Sequence, residues 1–304
     1  MYLGHFGLNE LPFTLTPNTR FYHPLPSHQD AYNLVIVALA NGDGFIKVVG
    51  EVGTGKTLLC RSLLNALDVD AYVTVYLPNP VQTSVELHRA IADELGLDAN
   101  LPASRLLGEI KSALLTHARQ GCRVAFLVDE AQALSREALE ALRLLTNLET
   151  ESQKLFQVIL FGQPELDNLL LSYDLRQLNQ RIVYHCCLQP LTKQQVGAYV
   201  QRRLQAAGYE RPMLFSQSAL DLMHRASHGV PRIVNLLAHK AMLVAFGHGT
   251  AAVSKADVER AVDDSRLTLP NAMQANADVH WMLYGGVIVL TACATFALMY
   301  WEVI

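Results

Sequence analysis

Eight consecutive residues, Gly50-Glu51-Val52-Gly53-Thr54-Gly55-Lys56-Thr57, have the G-x-x-x-x-G-K-[ST] spacing of a phosphate-binding loop. The glycines allow consecutive backbone N–H groups to turn toward a phosphate. The Lys56 ammonium would reach the β- and γ-phosphate oxygens, and the Thr57 hydroxyl would ligate Mg²⁺. A β-branched apolar run precedes the loop and a helical pattern follows it, which is the context that this motif requires. We therefore predict that Gly50–Thr57, the phosphate loop, binds a nucleoside triphosphate with Mg²⁺.

Two acidic residues follow a second apolar run, Arg123–Val128. Asp129 would hold Mg²⁺ directly or through water, and Glu130 would orient and polarise an attacking water. A kinase does not need the second acid as a water activator, so the pair favours hydrolysis. We expect the strand that carries these acids to lie beside the strand that leads into the phosphate loop. Paired acids after a strand can instead cap the next helix, but the phosphate loop upstream favours the catalytic interpretation.

Four further polar residues are candidates for the same site. Gln163 follows the next predicted strand, where it could hydrogen-bond the attacking water or the γ-phosphate, or be a plain turn residue. Arg176 and Arg181 precede the last predicted strand, and one of them could enter the nucleotide site of a neighbouring subunit. Each could equally be an exposed surface arginine. Arg232 begins a later helix, from which it could fold over the γ-phosphate and report the nucleotide state.

Short apolar strands alternate with helical segments through the first part of the chain. This pattern predicts an α/β fold with a parallel sheet covered by helices on both faces. The predicted strands are Phe45–Val49, Ala71–Leu77, Arg123–Val128, Phe156–Phe161 and Ile182–Leu188.

Beyond Pro190 the sequence shows only helical patterns, and Thr192, Ser216 and Ser254 stand where N-caps belong. We therefore divide the chain into a nucleotide-binding domain (residues 1–189), a small all-helical domain (190–265) and a linker (266–280). The last segment, residues 281–301, is a predicted transmembrane helix.

The membrane prediction depends on the 21 residues from Trp281 to Trp301, which carry no charge. As a helix they would span about 31 Å, close to the thickness of a hydrocarbon core. Aromatic residues lie at both ends, as in membrane helices. The alternative is a buried helix of a water-soluble domain. Met1–Pro12 lacks the apolar segment of a signal peptide, so we expect a single C-terminal anchor with the nucleotide-binding domain in the cytoplasm, where ATP is available.

The charge balance argues against nucleic acid as the main partner. The 304 residues carry a formal net charge of −4, which leaves no global basic footprint. The five cysteines show no C-x-x-C or zinc spacing.

The combined motifs resemble those of AAA+ ATPases and, more narrowly, the general secretion pathway protein A (ExeA-type) family. The resemblance spans roughly Met1–Asp264. It depends on Phe6-Gly7-Leu8, Pro12-Phe13, Gly50–Thr57, Asp129-Glu130-Ala131-Gln132, Gly162-Gln163-Pro164-Glu165-Leu166, Leu178-x-Gln180-Arg181-Ile182, Pro190-Leu191 and Gly229-x-Pro231-Arg232.

The resemblance implies an ATP-driven, oligomerising protein of the bacterial inner membrane that helps assemble a type II secretion or type IV pilus machine. It also implies that Gln163 is sensor 1 and Arg232 is sensor 2, while Arg176 and Arg181 both remain candidates for the arginine finger. Longer members of the family carry a peptidoglycan-binding domain after the membrane helix. This chain ends at Ile304, so we expect it to be more similar to the shorter, MSHA-pilus-type members.

Two other functions remain open. Transposition accessory ATPases share much of this core, which allows a nucleic-acid-handling function. That function predicts a basic face or a winged helix, and neither is visible in the sequence. The other is a nucleotide-gated scaffold, in which ATP binding switches the oligomeric state and hydrolysis only resets it. Both the ATPase and the scaffold need Lys56, Asp129 and Glu130.

Overall fold

The computed structural model describes residues 2–14, 25–148 and 154–265. These residues form two compact units. The sheet unit comprises the described residues from Thr14 to Pro190 together with Val230–Arg232. The helical unit comprises residues 2–13, 191–229 and 233–265.

The sheet unit is built on five parallel strands. Their order in the sheet is β2-β3-β4-β1-β5. Each strand pairs in parallel with its neighbours, which confirms the predicted parallel sheet. The strands are β1 (Phe45–Gly50), β2 (Tyr72–Leu77), β3 (Arg123–Val128), β4 (Phe156–Gly162) and β5 (Ile182–Leu188).

The predicted position of β3 beside β1 is wrong, because β4 lies between them. Strand order in a parallel sheet is decided by the helical crossovers and not by the strands' own residues. The consequence for the site is that β4, which leads into Gln163, lies next to both the phosphate-loop strand and the acid-bearing strand.

Helices surround the sheet and build the second unit. In chain order they are α1 (Leu3–Phe6), α2 (Pro26–Asn41), α3 (Lys56–Ala66), α4 (Ser84–Glu94), α5 (Ala103–Arg119), α6 (Arg136–Leu145), α7 (Glu165–Leu170), α8 (Arg176–Asn179), α9 (Lys193–Ala206), α10 (Gln217–Ser227), α11 (Pro231–Gly247) and α12 (Lys255–Asp264). Short 3-10 turns occur at Ala131–Ala133 and Tyr173–Leu175.

The sheet has an apolar core on each face. One face packs against α4, α5, α6 and α7, and on β1 it receives Phe45 and Val49. The other face packs against α2 and α3, and on β1 it receives Ile46 and Val48. Because successive side chains of a strand point to opposite faces, a strand covered on both faces is largely apolar along its whole length. This is why the strand signals were short continuous apolar runs.

Two polar side chains interrupt these cores, and both have partners. Lys47 on β1 is buried, and its Nζ donates to the Asp167 carboxylate of α7 at 2.5 Å. Gln157 on β4 donates from Nε2 to the carbonyls of Leu39 and Asp43, both at 3.1 Å. Buried polar groups are tolerated when they are hydrogen-bonded. The Lys47–Asp167 pair therefore connects α7, which follows Gln163, to β1, which leads into the phosphate loop.

The helical unit contains the helices α9, α10, α12 and most of α11, with an isolated bridge between Phe215 and Val253. The three predicted N-caps are confirmed: the side chains of Thr192, Ser216 and Ser254 each accept a backbone N–H from the first turn of their helix. These bonds satisfy donors that a helix leaves unpaired at its start.

The first residues of the chain also belong to the helical unit, contrary to the expected domain at residues 1–189. Arg203 Nε donates to the Pro12 carbonyl at 2.7 Å, and the Asn9 N–H donates to the Ala207 carbonyl at 2.8 Å. Phe6 and Phe13 are buried there. This N-terminal segment has one four-residue helix and few apolar residues, so it shows no periodicity. The sequence therefore could not indicate whether the segment belongs to the sheet unit or to the helical unit.

No helix within residues 2–14, 25–148 and 154–265 has the length and apolar character needed to cross a membrane. The predicted transmembrane helix at residues 281–301 and the linker at 266–280 lie outside the described residues.

Candidate active site at the carboxyl edge of the sheet

The candidate residues meet at the edge of the sheet where the strands end. Because the strands are parallel, their carboxyl ends share one edge, where ligands bind in open α/β sheets. β1 ends at Gly50, where the phosphate loop begins. β3 is followed by Asp129 and Glu130, and β4 is followed by Gln163.

The phosphate loop is held in a shape that only glycine allows at two positions. Gly53 and Gly55 have φ angles of 82° and 103°, which L side chains rarely adopt. A Cβ on Gly53 would lie 2.7 Å from the Arg232 Cβ, and a Cβ on Gly55 would lie 2.8 Å from His28 Nε2. The chain thus follows a path along which backbone N–H groups can face a ligand.

Lys56 is the first residue of α3, and its side chain is buried in the loop. Its Nζ donates to the carbonyls of Gly50 at 2.7 Å and Glu51 at 3.1 Å. Burial lowers the Lys56 pKa, and the nearby carboxylates of Glu130, Asp129, Glu51 and Glu165 oppose this shift. The ammonium therefore lies inside the loop, facing four acids and bonded to backbone oxygens that a phosphate would have to replace.

His28 of α2 supports the loop from behind, a contact that the sequence did not reveal. The imidazole is 2% exposed, and Nε2 lies 2.8 Å from the Thr54 carbonyl. A carbonyl can only accept a hydrogen bond, so Nε2 carries the proton. Burial lowers the His28 pKa, and the bond to Thr54 partly offsets this. The side chain is thus a neutral donor that fixes the loop backbone at neutral pH.

Asp129 and Thr57 form an oxygen pair suited to Mg²⁺. The Asp129 carboxylate is 4% exposed, is hydrogen-bonded to the Thr57 hydroxyl and accepts the Glu130 N–H at 3.0 Å. Burial raises the Asp129 pKa, although these two hydrogen bonds oppose the shift. Hydroxyl and carboxylate oxygens are the hard ligands that Mg²⁺ prefers. A divalent cation would also neutralise part of the acidic surroundings of Lys56.

Glu130 is held by two amide side chains. Its Oε2 accepts a hydrogen bond from Gln132 Nε2 at 2.6 Å and another from Gln163 Nε2 at 2.9 Å. Gln132 Oε1 in turn accepts the backbone N–H of Gln163 at 3.0 Å. We call Asp129, Glu130, Gln132 and Gln163 the acid–amide cluster. The cluster joins the ends of β3 and β4. It includes Gln132, for which the sequence motifs indicated no role.

The electrostatics of Glu130 favour the ionised carboxylate. Burial by itself would raise the Glu130 pKa, but the hydrogen bonds from Gln132 and Gln163 and the Lys56 charge outweigh it, so the pKa is lowered. Glu130 is also one of two non-glycine residues with a positive φ angle, 52°, in the described part of the chain. Such backbone strain is concentrated at functional sites.

The three arginines have different surroundings. Arg232 donates its backbone N–H to the Gly53 carbonyl at 3.3 Å, and its side chain is exposed. Arg176 begins α8, is exposed, and has its guanidinium 4.0 Å from the centre of the Tyr173 ring. Arg181 is partly buried, with Nη1 3.4 Å from the Arg143 carbonyl of α6. Only Arg232 is thus seen in contact with the phosphate loop of its own chain.

The chain is similar to a domain family and to a longer protein. A family model described as an AAA domain matches residues 40–170. General secretion pathway protein A of Aeromonas hydrophila is 43% identical over 263 residues, which cover 86% of this chain and 48% of that protein. The chain therefore spans about half the length of this relative.

Solved structures with a similar fold include one with bound nucleotides, one bound to DNA and one described as a Holliday junction branch migration motor. The ORC2 protein of Aeropyrum pernix, determined as ADPNP–ADP complexes, has a TM-score of 0.58 at 16% identity, covering 82% of this chain and 72% of that one. Drosophila ORC bound to DNA has a TM-score of 0.59 at 19% identity, covering 84% and 64%. The RuvB branch migration motor of Thermotoga maritima has a TM-score of 0.53 at 15% identity, covering 81% and 73%. At these identities the likeness shows the fold alone.

Proposed function

The chain carries an AAA+ domain of the general secretion pathway protein A type, and from this premise we propose that it is a membrane-anchored ATPase. It hydrolyses ATP to assist assembly of a type IV (MSHA-type) pilus or a type II secretion machine. The observation that carries the hydrolytic part is the position of Glu130, an ionised carboxylate held by two amides within electrostatic range of the phosphate-loop lysine.

The phosphate loop and α3 bind the triphosphate. Backbone N–H groups of Gly50–Thr57 and the positive end of α3 surround the phosphates, and Lys56 exchanges its two carbonyl acceptors for phosphate oxygens. Thr57 and Asp129 would hold Mg²⁺. When bound, Mg²⁺ supplies positive charge against the phosphate oxygens as negative charge develops during transfer.

Glu130 orients the attacking water and accepts its proton. A general base must be unprotonated at the working pH, and the lowered pKa of Glu130 meets that condition at neutral pH. Gln163 keeps Glu130 in place and offers its amide to the water or the γ-phosphate. Arg232, whose backbone is bonded to Gly53 and whose side chain is exposed, would contact the γ-phosphate as sensor 2.

A second copy of the chain completes the site. Of the two finger candidates, Arg176 fits better, because its exposed guanidinium is stacked on Tyr173 and presented to solvent. Arg181 is partly buried and directed toward the end of α6. An arginine supplied by a neighbour makes hydrolysis depend on assembly into a ring or other homo-oligomer.

We place the protein in the bacterial inner membrane, with its ATPase domain in the cytoplasm. The support is the uncharged segment 281–301, together with the relative's name, which refers to the general secretion pathway. Its partners are then inner-membrane components of the pilus or secretion machine. Nucleic acid is not a proposed partner, because the DNA-bound structures share only the fold.

ATP turnover per subunit, measured against protein concentration, tests the shared site. We expect turnover of the full chain to rise steeply with concentration. In Arg176→Ala it should fall by about 10³-fold, the lower end of what arginine fingers contribute. Arg181→Ala serves as the matched control and should retain most of the activity. If turnover fell in Arg181→Ala instead, Arg181 would be the arginine finger. Turnover that is low and independent of concentration in all three proteins would contradict an ATPase that depends on assembly.

The nucleotide-gated scaffold is the second candidate, favoured by one observation. Two hydrogen bonds on Glu130 Oε2 make that carboxylate a weaker base, which suits slow hydrolysis that only resets the switch. If Glu130→Gln supported complete pilus or secretion assembly in cells while Lys56→Ala did not, the scaffold would be the better description.

A further inference from the structure

The geometry points to Gln132 as a positioning residue that holds Glu130 and Gln163 in one rigid arrangement for water activation. This inference rests on the proposed hydrolysis of ATP. Gln132 would not touch the nucleotide. It acts through the two side chains to which it is bonded.

The carboxamide of Gln132 uses both of its ends. Nε2 donates to Glu130 Oε2 at 2.6 Å, and Oε1 accepts the backbone N–H of Gln163 at 3.0 Å. Gln163 Nε2 closes the ring by donating to the same Glu130 Oε2 at 2.9 Å. Each of the three residues thus contacts the other two, and the ring connects two neighbouring strands of the sheet.

The backbone on both sides of the ring constrains the positions of Glu130, Gln132 and Gln163. Glu130 has φ 52° and ψ 38°, and the 3-10 turn Ala131–Ala133 follows it directly. Ala131 is fully buried, which fixes the turn against the core. A Cβ on Gly162 would lie 3.3 Å from Gln132 Oε1 and 2.6 Å from Leu166 Cδ2. A side chain at the end of β4 would therefore displace Leu166 and crowd the Gln132 carboxamide beside the Gln163 N–H.

The ring also selects which carboxylate oxygen can take a proton. Both amides donate to Oε2, so Oε1 is the oxygen of Glu130 that receives no hydrogen bond from the described residues. With Gln132 in place, the carboxylate cannot rotate without breaking two hydrogen bonds. Without it, Glu130 would keep one donor and the Gln163 N–H would lose its acceptor.

The test compares Gln132→Met, which keeps the side-chain length but cannot donate or accept through an amide, with Gln82→Met. Gln82 is the matched control because its amide donates to the Ala133 carbonyl of the same turn at 3.1 Å. The full chain is assayed for ATP turnover at neutral pH and for binding of a fluorescent ATP analogue. We expect kcat of Gln132→Met to fall up to about 10²-fold with nearly unchanged affinity. Gln82→Met should behave like the wild type in both measurements.

A second measurement does not depend on hydrolysis. In protein labelled with ¹⁵N-glutamine, the backbone amide signal of Gln163, whose N–H loses its side-chain acceptor in Gln132→Met, is compared among the three proteins. In Gln132→Met this amide proton should move to lower chemical shift, while in Gln82→Met it should stay in place. An unchanged Gln163 signal in Gln132→Met, or an equal loss of kcat in Gln82→Met, would overturn the inference. If the signal moves but the wild type shows no turnover under any condition, the proposed ATPase fails while the ring stands.

Discussion

The phosphate loop draws its ligand groups from eight consecutive residues, whereas the acid–amide cluster draws its groups from the ends of two strands. The loop keeps its shape through backbone conformation, with glycines at φ angles of 82° and 103°. The cluster keeps its shape through side-chain hydrogen bonds between Glu130, Gln132 and Gln163. Both lie at the same edge of one sheet, yet they depend on different kinds of interaction.

This difference separates binding from chemistry. Backbone N–H groups and one lysine hold phosphates whether or not hydrolysis follows. In the proposed function, Glu130 and Gln132 contribute only when a water attacks the γ-phosphate, and interactions made in the transition state alone change kcat and not the affinity for substrate. Substitutions in the loop should therefore change affinity and turnover together, while substitutions of Glu130 or Gln132 should change turnover alone.

The largest effect is expected for Lys56→Ala. It removes the one ammonium among four carboxylates, so both ATP affinity and turnover should fall, and kcat/KM should drop by about 10³-fold. The measurement combines calorimetric binding of ATP with steady-state turnover. Lys111→Ala, at an exposed lysine of α5, is the control and should be unaffected. In cells, normal pilus or secretion assembly with Lys56→Ala would contradict the proposed function.

Glu130→Gln tests the acid–amide cluster, in which turnover should fall while ATP affinity is kept. The variant has almost the same shape but cannot accept a proton from water, so kcat should fall on the order of 10²-fold or more. The dissociation constant for ATP should stay within about twofold, since no phosphate ligand is removed. Glu109→Gln, at an exposed position of α5, is the matched control. A loss of affinity equal to that of Lys56→Ala would show that loop and cluster are not separable.

The smallest effect is expected for His28→Gln. This variant tests whether protonation of His28, which supports the phosphate loop, makes the stability of the protein depend on pH. The folded His28 pKa lies below its ordinary value of 6.5, so in this range the unfolded chain binds more protons than the folded one. The stability contributed by neutral His28 is complete above pH 6.5 and is lost as pH falls from there through the folded pKa. Glutamine keeps a donor for the Thr54 carbonyl but does not titrate.

Denaturant unfolding between pH 7.5 and 5.5 measures this effect. The slope of unfolding free energy against pH should decrease in His28→Gln by at most about 1.4 kcal/mol per pH unit, the value for one proton. His117→Gln, at a partly exposed position of α5, controls for removing a histidine. A slope in His28→Gln equal to that of the wild type would show that His28 does not couple the loop to pH.

Much of the fold was predictable because its signals are local. The five apolar runs each became a parallel strand, and three serine or threonine residues became N-caps of helices. A strand buried on both faces is largely apolar over its own length, and a cap bonds to N–H groups within its own first turn. Such features are complete within about ten residues, so the sequence contains all that is needed to recognise them.

Other features were missed because their partners are far away in the chain. The acid-bearing strand was expected beside the phosphate-loop strand, but β4 lies between them. Residues 2–13 were expected with the sheet and belong to the helical unit. Gln132 stood in the Asp129–Gln132 motif without a role, and His28 belonged to no motif. The roles of Gln132 and His28 depend on contacts 31 and 26 residues away, respectively.

The sequence by itself determined the phosphate loop, the acidic pair and the alternation of strands and helices, because each is encoded by neighbouring residues. Only the tertiary structure decided the order of the strands, and with it which side chains meet at the carboxyl edge. The physical reason is that parallel strands are joined by crossovers and paired through backbone hydrogen bonds, which any apolar strand can make. The chain thus specifies its phosphate loop locally, but it obtains the ring of Glu130, Gln132 and Gln163 only by folding.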